Sequence, residues 1–408
     1  MTASDAGALG TGTAGGTGAR GSRTARDSGV ARESAGTNAG VPFVRVSAGP
    51  FGIGLAHGRA RAGALRDFIA DDLCRINKLA PSPMTAESLR PALDEYGAAI
   101  TAAAPRLSEE LDGLAAGAGI PRDIATLLQV RREIIGYQRI PARGDCTTYA
   151  SLAAGPDGSP VLAQTVDLNG NLDDQITVLD AGLAGSGRRA LILSFGGLLG
   201  YLGLNSDGLA VGLNLVLGGR WGPGLPPYLA IRHLLDHAGS VAEALDILRG
   251  LPLASSRTLM LCDSRGIACA EILGNELRLV EPGPGQQHLT HTNHFRHPDF
   301  TSRDELNVFA RNSSLLRLKA AEAGLAELPG AGAGPDEHFS LLTQTPICVP
   351  DTGDIRRERT VAAVVMLPVR GELHLRPGDP SRSRTEVYAF GQGMGTGEGM
   401  GTGGRHRP

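Results

Sequence analysis

The chain has 408 residues, 41% of them hydrophobic, enough to bury a substantial core as one large domain or two ordinary ones. Its 39 lysines and arginines nearly balance 42 acids, so a formal charge of −3 provides no field that would select nucleic acid or an anionic membrane. Five cysteines (Cys74, Cys146, Cys262, Cys269, Cys348) are scattered, odd in number and free of any CxxC pair, which argues against a disulfide framework or a zinc site.

Residues 1–40 are almost entirely Gly, Ala, Thr, Ser and Arg, and too poor in apolar side chains to offset the entropy of ordering, so a disordered tail is expected. The N-terminus lacks the apolar stretch of a secretion signal and no run reaches about 18 apolar residues, so a cytoplasmic protein without a membrane partner is expected. Residues 41–145 form a helical segment. From Gly58 to Gln138, "ARAGALRDFIADDLCRINKL", "AESLRPALDEYGAAITAAA", "LSEELDGLAAGAGI" and "RDIATLLQVRREII" place apolar residues three and four apart.

After Cys146 the period falls to two. "TTYASLAAG" and "PVLAQTVDL" flank the turn "GPDG", "RTLMLCD" and "IACAEIL" flank "SRG", and "RTVAAVVMLPVRGELHLRPG" opens another hairpin. Helices are predicted at "PPYLAIRHLLDHA", "SVAEALDILRG" and "SRDELNVFARNSSLLRLKAAEAGL". Residues 146–390 therefore read as a mixed, mainly antiparallel body, and the Gly-rich residues 391–408 as a second disordered tail.

The change of period at Cys146 places that thiol at the first position of a strand. A cysteine freed as an N-terminus carries its own base, because an α-amino group titrates near ~7.7 to 8.0 and can accept the thiol proton. Spacing alone leaves open a buried structural cysteine.

"GDCTTYASLAAGPDGSPVLAQTVD" resembles the start of the β chain in the acyl-coenzyme A:isopenicillin-N acyltransferase family, self-cleaving N-terminal-nucleophile hydrolases related to the choloylglycine hydrolases. "FGIGLAHGRARA" resembles the family's Gly-rich turn followed by HGR, "EELDGLAAGAGI" with "LLQVRREI" its helical pair, "YLGLNSDGLAVGLNLV" its sheet hairpin and "HTNHF" its later loop. The resemblance runs from about Phe51 to Leu367. It implies an α+β fold, the four-layer αββα sandwich of two packed antiparallel sheets, with residues 41–145 in the same globule as the β chain.

It also implies a chemistry. The thiol of Cys146 would attack the carbonyl of Asp145, and water would then release the upstream chain. Cys146 would next take an acyl group from an amide or thioester and pass it to water or an amine. Asp167 matches the aspartate that holds the new α-ammonium, here after Thr165 and Val166 where relatives carry Asn and Trp. Asn293 matches the asparagine whose amide faces the oxyanion, and Asn214 resembles a pocket asparagine of the choloylglycine relatives. Arg357 is taken as the family arginine three residues before the Thr of a late strand, with Arg356 and Arg359 as close alternatives. Trp221, the single tryptophan, lies in a loop that could line the pocket. The cleavage bond departs from relatives, with Asp145 where they have glycine.

Implied partners are a small acyl amide or acyl thioester and an amine acceptor, with the α and β chains of one precursor staying associated. No cofactor, metal or nucleic acid is implied. Rival readings are a non-catalytic, uncleaved binder of acyl compounds and a Cys-His dyad served by His291 or His294. His233 and His237 lie four apart on a helix but lack the glutamate of HExxH. The glycines of "GIGLAHG" and "GLLGYLG" miss the dinucleotide spacing and are expected in turns.

Overall fold

The computed structural model describes residues 40–136, 146–329 and 332–390. The expected tails, apart from Gly40, and the cleavage-site residue Asp145 lie outside the described residues. Those that are described fall within one compact unit beginning at Gly40.

The chain enters through β1 (Phe43–Ala48), then five helices: α1 (Pro50–Ala70), α2 (Ile76–Leu79), α3 (Ala86–Ala103), α4 (Pro105–Ala118) and α5 (Arg122–Ile135). Strands follow as β2 (Thr147–Ser151), β3 (Val161–Leu168), β4 (Ile176–Leu183), β5 (Arg189–Phe195), β6 (Leu202–Asn205) and β7 (Ala210–Leu215). After α6 (Pro227–His237) and α7 (Val241–Leu248) come β8 (Arg257–Cys262), β9 (Ile267–Leu273), β10 (Glu276–Val280) and β11 (His288–His291). The remaining elements are α8 (Pro298–Thr301), α9 (Val308–Glu327), α10 (Pro335–Leu342), β12 (Arg359–Leu367), β13 (Glu372–Pro377) and β14 (Glu386–Ala389).

One sheet has the order β1-β4-β5-β6-β7-β8-β9-β10 and the other β11-β2-β3-β12-β13-β14. They pack through β2 and β3 against β7 and β8, while α1, α6 and α7 cover the first sheet and α9 and α10 the second. This is the α+β fold of two stacked sheets between helices.

Strand β12 shows why the sequence adopts these layers. In "RTVAAVVML", Ala362, Val364 and Met366 enter the core between the sheets, whereas Ala363, Val365 and Leu367 pack beneath α9 and α10 with Phe339 and Leu342. Both faces are buried, so an almost wholly apolar strand is stable at this position.

Two features differ from the sequence reading. Strand β1 pairs in parallel with β4, extending the first sheet with residues that precede the helices. The glycines of "GIGLAHG" lie in α1 and not in a turn. A Cβ on Gly54 would fall 1.8 Å from the Glu110 carbonyl, and one on Gly113 would fall 2.0 Å from the Phe51 carbonyl. Glycine is required because the backbones of α1 and α4 nearly touch. Among the described residues no helix is long and apolar enough to cross a membrane.

Candidate active site

Cys146 sits immediately before β2, almost fully buried, with a left-handed φ of +56°. Such a backbone costs an L-residue of this kind ~1 to 3 kcal/mol and persists where its surroundings impose it. The surroundings are visible. In the β2–β3 pairing Thr147 lies opposite Thr165, and the Thr165 hydroxyl accepts from the Thr147 amide at 3.1 Å. Two residues further along β3, Asp167 Oδ2 accepts from the Cys146 amide at 3.1 Å.

Asp167 is itself aligned from the other side. Strand β12 puts Thr360 opposite it, and the Thr360 hydroxyl donates to Asp167 Oδ1 at 2.6 Å. Both carboxylate oxygens are thus fixed on a fully buried side chain.

The carbonyl of Cys146 is gripped by two donors. Asn214 Nδ2, on β7 of the facing sheet, donates to it at 3.2 Å, and Arg317 Nη1, on α9, donates at 2.6 Å. Arg317 Nη2 also donates to Asn293 Oδ1 at 2.6 Å, which fixes the amide flip, and Asn293 Nδ2 donates to the Leu215 carbonyl at 2.9 Å. The structure therefore assembles Cys146, Asp167, Asn214 and Asn293 from both sheets and the loop after β11, with Arg317 of α9 joining them.

Arg357 is not part of this group. Its side chain is 41% exposed on the turn before β12, 3.9 Å from Asp354. Arg359 instead bonds Asp173 and Asn171. The guanidinium that bonds the Cys146 carbonyl and Asn293 belongs to Arg317, which the sequence reading passed over. Its one local signal is the pair Ser313–Ser314 one turn earlier, small enough for the helix to approach β11, with Ser314 Oγ accepting from the Asn293 amide at 2.8 Å.

The thiol faces a mainly apolar cleft lined by Phe68, Leu128, Leu172, Phe195, Leu198 and Leu213 among others, together with three arginines, Arg131, Arg132 and Arg257. Cys146 Sγ lies 3.9 Å from the Tyr201 hydroxyl, and Tyr201 stacks on Tyr228. Trp221 stands behind this wall. Arg257 covers its ring at 5.0 Å, and it packs against Leu215 and Leu306.

The other four cysteines are buried thiols, and burial pushes Cys74 up to about 12 and Cys348 up to about 11 and raises Cys262 and Cys269 as well. They remain protonated and inert at neutral pH. The histidine rivals are engaged elsewhere. His291 Nε2 meets Glu271 at 2.9 Å and its Nδ1 meets the Thr292 carbonyl, while His294 Nδ1 meets Ser314 Oγ at 2.8 Å. Burial, then the neighbouring His291, lowers His294 to about 4. His233 and His237 lie against each other along α6, with ring centres 4.2 Å apart and the planes tilted by 31°. Among the described residues no cluster of three or more His, Cys, Asp or Glu is placed to hold a metal ion.

The model of one protein family, described as acyl-coenzyme A:6-aminopenicillanic acid acyl-transferase, matches residues 153–381. The chain is also similar to three solved structures. An N-acylethanolamine-hydrolyzing acid amidase ortholog of Caenorhabditis elegans is 16% identical, with 55% of this chain and 93% of that one covered and a TM-score of 0.42. Penicillin V acylase from Agrobacterium tumefaciens is 16% identical over 60% of this chain and 86% of that one, with a TM-score of 0.40. A mutant of the conjugated bile acid hydrolase from Clostridium perfringens is 11% identical over 62% and 99%, also with a TM-score of 0.40.

Proposed function

Because the chain belongs to the acyl-coenzyme A:6-aminopenicillanic acid acyl-transferase family of N-terminal-nucleophile hydrolases and acyltransferases, we propose that it cleaves itself before Cys146 and then uses that cysteine to hydrolyse or transfer acyl groups. The observation that carries this reading is the buried Asp167 carboxylate 3.1 Å from the Cys146 nitrogen. A peptide N–H needs only a neutral acceptor. An α-ammonium at the same nitrogen needs a buried anion held in a fixed orientation, and Thr360 supplies that orientation.

In the precursor the thiol adds to the Asp145 carbonyl, the peptide C–N bond breaks, and the nitrogen leaves as the new amine while a thioester forms. Water then cleaves the thioester, releasing residues 1–145 with a carboxylate and restoring the thiol. In turnover the neutral amine accepts the thiol proton, the thiolate attacks the substrate carbonyl, and the protonated amine delivers the proton to the leaving group. Asn293 supplies a donor to the tetrahedral oxyanion. Its Nδ2 points toward Leu215, a residue lining the cleft, and Arg317 prevents the amide from flipping. Asn214 and Arg317 hold the Cys146 carbonyl and so aim the residue.

The cleft walls suit an apolar acyl chain, and the substrate is an acyl amide or acyl thioester, with water or an amine as acceptor. The test is the N-terminal sequence of the purified chains combined with trapping of an acylated Cys146. A single uncut chain that turns over acyl amides would refute the mechanism.

A further inference from the structure

Beside Cys146 the cleft contains two hydrogen-bond donors with nothing to donate to. Arg131, on α5, uses Nε for the Cys74 carbonyl at 2.7 Å and lays its guanidinium 5.9 Å from the centre of the Phe68 ring, yet its buried Nη2 has no partner. Asn169, just past β3 and only 6% exposed, has an unpartnered Nδ2. Both side chains line the cleft that contains Cys146.

They are also adjacent. A Cβ on Gly170, the residue after Asn169, would lie 2.7 Å from Arg131 Nη2, so the guanidinium rests against this turn, and Gly170 (φ +88°) leaves room for it. Among the described residues no carboxylate pairs with Arg131. The nearby Asp174 is taken by Arg75 at 2.5 Å. Arg257 in the same cleft is different, being neutralised by Glu133 at 3.4 Å and bonded to the Ser256 carbonyl at 2.7 Å. A half-buried cation whose Nη2 is sealed from solvent and a neighbouring buried amide, each with an unsatisfied donor, are complementary to an anion with two acceptor oxygens.

Position identifies which anion. Asn169 follows Asp167 by two residues, about 6.6 Å of extended chain, and Asp167 holds the Cys146 nitrogen. In an N-acyl amino acid the carboxylate carbon lies about 3 to 4 Å from the scissile carbonyl carbon, two single bonds beyond the amide nitrogen, and a hydrogen bond of about 2.9 Å completes the reach.

We propose that Arg131 and Asn169 bind the carboxylate of the leaving amino acid, so that N-acyl amino acids with an apolar acyl chain are the substrate class. This rests on Cys146 being the acyl-accepting nucleophile. The probes are N-decanoylglycine and its neutral counterpart N-decanoylglycinamide, given to the purified full chain. The wild type should prefer the acid by about 10- to 100-fold in kcat/KM, the effect expected of hydrogen bonds to a charged group. Arg131→Gln should erase most of that preference by lowering kcat/KM for the acid far more than for the amide, whereas a packing defect would lower both rates together. Asn169→Asp, which places a competing carboxylate beside Arg131, should do the same even where Arg131→Gln does not fold. Equal rates for acid and amide in the wild type, or an undiminished preference in Asn169→Asp, would overturn the proposal. Should neither compound turn over, trapping of an acylated Cys146 decides the nucleophile reading separately, and calorimetric titration of both compounds decides the anion site. Tighter binding of the acid that is lost in Asn169→Asp upholds it, and equal binding removes it.

Discussion

Thr360 and Asp167 face each other across β12 and β3, and the threonine hydroxyl donates to the aspartate at 2.6 Å while accepting from the Val349 amide at 2.8 Å. The hydroxyl therefore ties the carboxylate that meets Cys146 to the loop before β12. Thr360→Val keeps the shape and removes the donor. Hydrogen bonds to charged groups contribute ~1.5 to 3 kcal/mol, so kcat/KM should fall roughly 10- to 100-fold while Thr360→Ser stays near wild type. Equal activity in the valine variant would mean that the orientation of Asp167 is immaterial.

The two candidate arginines can be separated by experiment. Arg317 is buried and bonded to the Cys146 carbonyl, Thr147 and Asn293, whereas Arg357 is half exposed beside Asp354. Arg357→Ala should leave kcat within about twofold, as surface substitutions away from a site do. Arg317→Lys keeps the charge but loses the fork that spans two partners, and should cost about 10² in kcat with a modest loss of thermal stability. A silent Arg317→Lys with an inactive Arg357→Ala would reverse the assignment.

Much of this arrangement was legible in the sequence because it is local. The hairpin that joins Cys146 to Asp167 announces itself by alternation around "GPDG", and the asparagines lie in short recognisable stretches. Arg317 was not legible. It sits 24 residues from its partner Asn293 in a helix whose other arginine, Arg311, points toward the surface, and nothing in a helical period says which arginine turns inward. Strand β1 was hidden for a similar reason, since its partner β4 lies beyond five helices. The glycines of α1 resembled turn residues because their need, close approach to α4, is tertiary.

His57 gives the fold an acid-sensitive point. It is buried in α1 with both ring nitrogens unpartnered, and burial first, then Arg61 and Arg232, lowers it from 6.5 to about 3. Between those values the unfolded chain binds a proton that the folded chain does not, so stability falls as pH drops below about 6.5. At pH 5 the loss from this residue is about 2 kcal/mol, from about 1.4 kcal/mol per pH unit. Urea unfolding at pH 7 and pH 5 should show a smaller difference in His57→Met than in wild type. An unchanged difference would place the acid sensitivity elsewhere, His294 being the next group lowered by burial.

The most exposed expectation concerns the bond before Cys146. In the intact chain that residue must hold φ at +56°, but an N-terminal residue has no preceding carbonyl to clash with, so cutting releases the strain. The purified protein should therefore run as two chains, residues 1–145 and 146–408. Cys146→Ala should remain one inactive chain. Cys146→Ser can still undergo the acyl shift slowly but is a weaker nucleophile in turnover, so partial cutting with little activity is expected. Asp145→Gly should cut at least as fast as wild type, because glycine restricts the chain before the scissile bond least. Intact mass and N-terminal sequencing read each outcome directly. If an active wild-type protein keeps its native N-terminus, Cys146 has no α-amine to serve as base, and proton transfer must be reassigned to a neighbour of the thiol such as Tyr201, 3.9 Å away.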